Sequence, residues 1–532
     1  MQIRTKILSI LAIVLVVGIV LALSGCVTGS QVAGNTSSNS TVQSNENDTL
    51  RVGEMWDITT LDPAAGGGTT IGEKADITET LVGANPDFSL KPELATSWYQ
   101  VDNLTWVFNL RNDVYFQDGT KMTADDVKWS LDRVISLDPV VTNLVNLDNI
   151  TVINDTAIMI KTKSENLMLP AVLNYPDTGI IAKSSLDANG NFSKPVGTGA
   201  YKFESFGQTT HVLTVVKNDL WWNGTPGLDT LVLTPITDPN TRAMAIESGE
   251  IDFTCDVPYN EVPGIAQMPG YTVEKYNKAR MYMLVLNLNE SSLGDLKVRQ
   301  AISDAIDRQA IAQNVLYGMG SPAAGPFMST MAWTNTSLTP YTINLTDANA
   351  LLDEDGWVNG TDGIREKNGQ KLSFTLLTFP NRPGLPPMAE AIAAELKDIG
   401  VSVQVQVETS GAISAQVSTG VWDMELTTYA TAMVPDPGYI LKELYTTNGT
   451  YNSGKYSNPQ LDALIANASD TKDLNERYQL YEEAQSIVYE QQPIILVDYY
   501  GSDIVMKNYV KGFVNDPTSH DYNINPEIYI QN

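Results

Sequence analysis

Histidine and cysteine are nearly absent: two of each stand in 532 residues. So little histidine argues against a histidine-built metal centre and against acid–base chemistry through imidazole. Basic residues are scarce too, 33 Lys+Arg against 62 Asp+Glu, which leaves a formal net charge of -29. That field repels phosphate backbones and anionic lipid headgroups, so neither nucleic acid nor a polybasic membrane contact is expected. Beyond the N-terminus no apolar run reaches the roughly 18 residues of a membrane span, which excludes a permease. The sequence also lacks Gly-x-x-x-x-Gly-Lys-Ser/Thr, His-Glu-x-x-His, Gly-x-Ser-x-Gly and Cys-x-x-Cys. These are the spacings that carry phosphate cradling, zinc hydrolysis, serine catalysis and dithiol chemistry, and no cofactor is implied.

What is present begins with Arg4 and Lys6, an apolar run over 7–23, and Ser24-Gly25-Cys26. This is a secretory leader, and Leu-Ser-Gly-Cys resembles a lipobox. Cleavage would remove residues 1–25 and leave Cys26 for lipidation; an uncleaved anchor helix is the alternative. Either outcome places the body of the chain outside, tethered to the outer face of the cytoplasmic membrane. Residues 26–48 are rich in Ser, Thr, Asn and Gln and read as a disordered tether. Asn-x-Ser/Thr sequons recur, three of them here (Asn35, Asn39, Asn47), as in a glycoprotein. With Cys26 lipidated, Cys255 has no partner and reads as a small buried hydrophobe.

Through the folded part, strand-like runs alternate with helical periods and no fixed repeat appears. Residues 372–379 form an apolar run, and Met388, Ile392, Leu396 and Ile399 then share one helical face. Gly400 stops that helix before the alternation Val401, Val403, Val405, Val407. A strand–helix–strand unit with parallel strands is expected. Asp295 caps a helix whose Arg299, Asp304 and Asp307 face solvent, and 478–491 is a helix broken by Pro493 before a buried strand at 494–500 and an irregular tail.

Candidate chemistry is sparse. Gly66-Gly67-Gly68-Thr69-Thr70 lacks the lysine of a phosphate cradle and reads as a flexible loop, with ligand contact by Thr69 and Thr70 the alternative. Asp353-Glu354-Asp355-Gly356 fails calcium-loop spacing, and His211 and His520 stand isolated. Twenty-three Tyr and 9 Trp on an acidic, exported scaffold suit the lining of a solute groove. An anchored, multi-lobed chain without a catalytic pair fits a receptor that closes around a ligand.

Several segments then carry a specific resemblance. They include Leu94-Ala95-Thr96-Ser97-Trp98, the stretch from Leu110-Arg111-Asn112-Asp113 to Gln117-Asp118-Gly119-Thr120, Thr123-Ala124-Asp125-Asp126-Val127, and Pro195-Val196-Gly197-Thr198-Gly199-Ala200-Tyr201. Val298-Arg299-Gln300-Ala301-Ile302 and Gly454-Lys455-Tyr456-Ser457-Asn458-Pro459 follow in order. The chain resembles the family 5 solute-binding proteins of ABC importers, the peptide and nickel receptors, over about residues 50–515. The resemblance implies an α/β, two-lobed periplasmic-binding-protein-like fold, large and type II-like, with an extra domain inserted in the N-terminal lobe. Lobe I is expected at 49–82, 200–290 and 497–532, the extra domain at 83–199, and lobe II at 291–496.

The implied protein is a monomeric, lipid-anchored receptor, not an enzyme. It captures a peptide, nickel chelate or other polar solute and delivers it to ABC permease subunits. A sensory receptor signalling through a membrane partner uses the same fold, and a surface hydrolase with a carboxylate pair is the remote alternative. Arg382 stands where dipeptide receptors of this family place the arginine that meets a ligand carboxylate. Asp436 either pairs a ligand ammonium or caps the helix after Pro437. The family's usual acidic anchor is replaced by Met433, and Gly438 stands where nickel receptors can carry histidine. Tyr429, Trp333 and Trp422 are the remaining candidates for ligand contact, each also suited to packing.

Overall fold

The computed structural model describes residues 48–65 and 70–531. The leader, the lipidation candidate Cys26, the segment up to Asn47, and residues 66–69 with Thr69 lie outside the described residues. At the centre is an 11-stranded sheet. Its order runs Ser402–Val407, Ser373–Thr378, Met424–Ala430, Tyr271–Leu286, Ile494–Lys507, Phe253–Cys255, Thr49–Glu54, Thr230–Pro235, Leu213–Lys217, Tyr201–Phe206, with Ser321–Pro322 paired to Ile494–Lys507 off this path.

Two of these strands are much longer than the rest and belong to both lobes. Tyr271–Leu286 has 16 residues and Ile494–Lys507 has 14, and they pair antiparallel. Residues 271–277 pair with 501–507 beside the first lobe, and 281–285 pair with 494–499 beside the second. Between them the register shifts from Asn277↔Gly501 to Met281↔Tyr499. Lys278, Ala279 and Arg280 therefore bulge opposite Tyr500 at the crossing, and a bulge re-aims the side chains it carries.

Local signals gave the elements that flank this crossing. Ser373–Thr378 and Ser402–Val407 are parallel, joined by the helix Leu385–Lys397, whose Met388, Ala389, Ile392 and Leu396 are buried. The Asp295 side chain accepts from Lys297 N and starts the helix Leu296–Ala305. Arg299 is a correction: it is buried, and its guanidinium donates to the carbonyls of Leu293, Gly294, Gln491 and Gln492. The last long strand is a second one, running on to Lys507 rather than ending at 500, because only its full length reaches the first lobe.

The extra domain is an antiparallel sheet in the order Ala95–Asp102, Thr105–Leu110, Ala157–Thr162, Leu147–Asn154, packed by the helix Ala124–Leu137. Thr123 and Asp126 form a capping box at that helix. Gly197 and Gly199 carry the chain back to the first lobe. A Cβ at either would lie 2.0 Å from Ile77 O or 2.2 Å from Asp76 O, so the close backbone passage requires glycine. The extra domain leans on the second lobe: the Phe88 and Trp333 rings are 6.4 Å apart, and Lys472 Nζ is 3.2 Å from Glu165 Oε1. Cys255 is free and buried in the first-lobe core. No helix among the described residues is long and apolar enough to cross a membrane.

Candidate functional site

A cavity of about 400 Å³ opens where the two lobes meet at the long strands. From the first lobe it is lined by residues 54 and 56–60, just past the carboxyl end of Thr49–Glu54, and by Thr70, Ile71 and Lys74 of the short helix Ile71–Lys74. The second lobe contributes Phe379 and Arg382, beyond the end of Ser373–Thr378, and Thr428. Arg280 comes from the bulge and His520 from the C-terminal tail. Carboxyl ends of parallel strands are where α/β folds present ligand groups, because the loops there are free to vary on a fixed frame.

Asp521 is the hub of the cavity floor. Its Oδ1 lies 2.7 Å from Arg382 Nη2, and its Oδ2 is within 2.9 Å of Lys74 Nζ, Trp56 Nε1 and His520 Nδ1. Burial opposes its charge, but Arg382, His520 and Lys74 outweigh that and hold the carboxyl well below its ordinary range. Lys74 also reaches Glu54 at 2.9 Å, and burial is again overcome, so its ammonium stays charged. Arg382 pairs on its other side with Asp256 at 3.2 Å, while Asp256 accepts from Tyr500 Oη and Ser502 Oγ.

Three further groups depart from this pairing. Arg280 donates to Thr428 Oγ1 at 3.2 Å and to the His520 carbonyl at 3.3 Å, both neutral. Burial, with Arg382 adding to it, lowers its pKa to about 10, so it remains charged at neutral pH. Lys278 donates to Ser519 Oγ at 3.2 Å and lies 5.1 Å from the centroid of the Tyr276 ring, and burial lowers it to about 8. Burial lowers His520 to about 3 against the pull of Asp521, and the imidazole is neutral. Asp521 is an ionised acceptor, so Nδ1 carries the proton and Nε2 keeps its lone pair.

Of the residues expected at a ligand site, Arg382 and Thr70 line this cavity together. Asp436 does not: its side chain accepts from Gly438 N at 2.8 Å as the N-cap of Pro437–Tyr445 and pairs with Arg477, beside a separate cavity of about 110 Å³. Trp333 is buried among Phe88, Phe327 and Tyr478, and Trp422 is buried in the same core. Tyr429 points away from its neighbour Thr428 and packs on Tyr451, ring centroids 5.8 Å apart.

Sequence reading passed over Glu54, Trp56, Lys74, Asp256, Arg280, Phe379 and Asp521. A usable signal existed for Arg280: Lys278 and Arg280 stand directly before the unbroken apolar run 281–286, an unusual place for two cations in a central strand. Asp521 and Lys74, 447 positions apart, carried none.

A lobed α/β frame with a charged cavity at its hinge defines a solute-binding protein. The sequence profile described as "Bacterial extracellular solute-binding proteins, family 5 Middle" matches residues 89–452. The chain belongs to this family, whose members are binding proteins rather than enzymes. It is 28% identical over 453 residues to the glutathione-binding protein GsiB of Salmonella paratyphi A, covering 82% of this chain and 86% of that one. It is 26% identical over 452 residues to the nickel-binding protein NikA of Staphylococcus aureus, covering 84% and 88%. Among solved structures, NikA from Brucella suis in complex with Fe(III)-EDTA superposes with a TM-score of 0.83 at 26% identity, covering 91% of this chain and 100% of that one.

Proposed function

We propose that this protein captures a small solute, a peptide or a nickel-type chelate, between its lobes and hands it to the permease of an ABC importer. The observation that carries the reading is the hinge cavity of about 400 Å³, bounded by both lobes and floored by buried charge. Relatives named for glutathione and for nickel support these two solute classes. Thr70 and the adjacent Thr69 belong to the proposed contact set, joined by Trp56, Phe379 and Thr428, and Arg382 lines the same cavity. The lobe boundaries near 83, 199, 291 and 496 belong to the same reading.

His520 favours the chelate over the peptide. A neutral imidazole held by a carboxylate through Nδ1, with Nε2 open, is arranged as a metal ligand. Among the described residues no three His, Cys, Asp or Glu side chains gather to hold a bare ion. The solute itself therefore supplies the remaining ligands to the metal, which arrives as cargo.

Mass spectrometry and metal analysis of the natively purified protein test both readings. A bound peptide, or nickel with an amino-acid chelator, is the expected result. A protein that retains nothing and binds neither glutathione nor a nickel–histidine chelate would overturn the receptor reading.

We also read Cys26 as the lipid-bearing residue that holds the receptor on the outer face of the membrane, with the sequons available for glycosylation. Intact-mass analysis of membrane-extracted protein decides the anchor, and a mature chain that retains residues 1–25 refutes it.

A further inference from the structure

Three cations face the hinge cavity: Lys74, Arg280 and Arg382. Lys74 is matched by Glu54 and Asp521, and Arg382 by Asp256 and Asp521. Arg280 has no carboxylate in contact: Asp521 and Asp256 act on it only from beyond ion-pair distance. It forms no ion pair among the described residues, and its Nε is buried without any hydrogen-bond partner. The residue is 4% exposed. An isolated buried guanidinium is costly, and the cost is usually met by a counter-ion. Here the chain has carboxylates in excess, with a formal net charge of -29, yet supplies none at this position.

The bulge explains how the position is maintained. Arg280 is fixed by its main-chain register with Ala430 on one side, and opposite Tyr500 on the other. Its guanidinium carbon lies 5.9 Å from the Tyr500 ring centroid, and its Nη atoms rest on Thr428 and the tail carbonyl of His520. The group is thus oriented by neutral contacts from both lobes and the tail, while its charge is left open toward the cavity.

We propose that the solute carries a carboxylate that seats on Arg280, and that Arg382 serves as a strut whose charge is already spent on Asp256 and Asp521. This rests on the receptor reading and narrows it to anionic solutes. A planar carboxylate suits a guanidinium with free N–H groups, since two parallel hydrogen bonds form at once. Trp56, Ile58, Ile71 and Phe379 leave an apolar wall for the rest of the molecule. Peptides with a free C-terminus and amino-acid chelates of nickel both meet this requirement, whereas peptide amides and neutral solutes do not.

The test compares wild type, Arg280→Met, Arg280→Lys and Arg382→Met in two measurements. In the first, solute released from each natively purified protein is identified by mass spectrometry. In the second, thermal unfolding is followed with increasing sodium acetate, against sodium chloride at equal ionic strength and against acetamide.

Wild type is expected to release a solute with an acid group, and its Tm should rise saturably with acetate alone. Arg280→Met should purify without solute, start from a Tm at least as high as that of solute-free wild type, and ignore acetate. Arg280→Lys should keep part of the response, and Arg382→Met should lose Tm while a folded fraction still responds to acetate. If the released solute has no acid group, if Arg280→Met retains the solute or the acetate response, or if acetate acts no differently from chloride on wild type, the inference is overturned. The receptor reading survives those outcomes and falls only if no protein releases or binds any solute.

Discussion

Arg382 Nη2 and Asp521 Oδ1 lie 2.7 Å apart, each side chain 1% exposed, and they join a loop of the second lobe to the C-terminal tail. Asp256, beyond the first-lobe strand Phe253–Cys255, holds the other side of the guanidinium. Arg382→Met should therefore destabilise the protein by about 3–5 kcal/mol, because two carboxylates lose their buried counter-charge. Chemical denaturation measures this. Asp521 titrates well below its ordinary value of 3.8 in the folded state, so its contribution is complete above that pH and is lost as pH falls below it. The acid limb of the stability curve should flatten in the variant. An unchanged midpoint would show that the pair contributes nothing.

A second pH effect has the opposite sign. Desolvation and the neighbouring Glu79 raise Glu93 from 4.5 to about 8, and desolvation raises Glu73 to about 7. Such groups favour the folded state when protonated, so their contribution is full below pH 4.5 and is lost as pH rises toward 8. Glu93→Gln should leave stability near pH 4.5 unchanged and raise it at pH 8 by roughly 2 kcal/mol. Thermal unfolding at the two pH values checks this, and equal shifts at both would refute it.

Asp436 is expected to matter for stability and not for capture. It caps Pro437–Tyr445 and neutralises Arg477, whose side chain is 8% exposed, at a cavity separate from the hinge. Asp436→Ala should cost about 3 kcal/mol through the lost cap and the stranded guanidinium. Solute affinity of the folded fraction, read by calorimetric titration, should stay within about threefold of wild type, and a larger loss would place Asp436 in the binding site.

Closure is the expected response to solute. Among the described residues the two long strands and the charge cluster beside them cross the hinge of the sheet, while Phe88 against Trp333 and Lys472 against Glu165 hold the extra domain to the second lobe. Small-angle scattering of the solute-free and saturated protein should show a smaller radius of gyration on loading. Lys472→Ala should shift the solute-free population toward the larger value. No change in either comparison would mean that the lobes do not move.

The sequence by itself determined whatever a short stretch of chain decides: the parallel strand–helix–strand unit over 373–407, the Asp295 and Thr123 caps, and the glycine passage at 197 and 199. Caps, periodicity and turn geometry involve partners a few residues away, so residue order is sufficient to read them. Its motifs also placed the chain in its family. The fate of each charge was decided only by tertiary structure. Arg382 looks like a free arginine in a proline-rich loop until Asp256 and Asp521 are brought to it, 126 positions before and at the far end of the chain. Arg280 is marked in the sequence only by its place before an apolar run, and a register shift in a hinge strand decides that it is buried without an ion pair. A guanidinium binds a solute or braces a fold according to whether a carboxylate already stands within about 4 Å, and that distance is set by packing between segments that sequence order keeps apart.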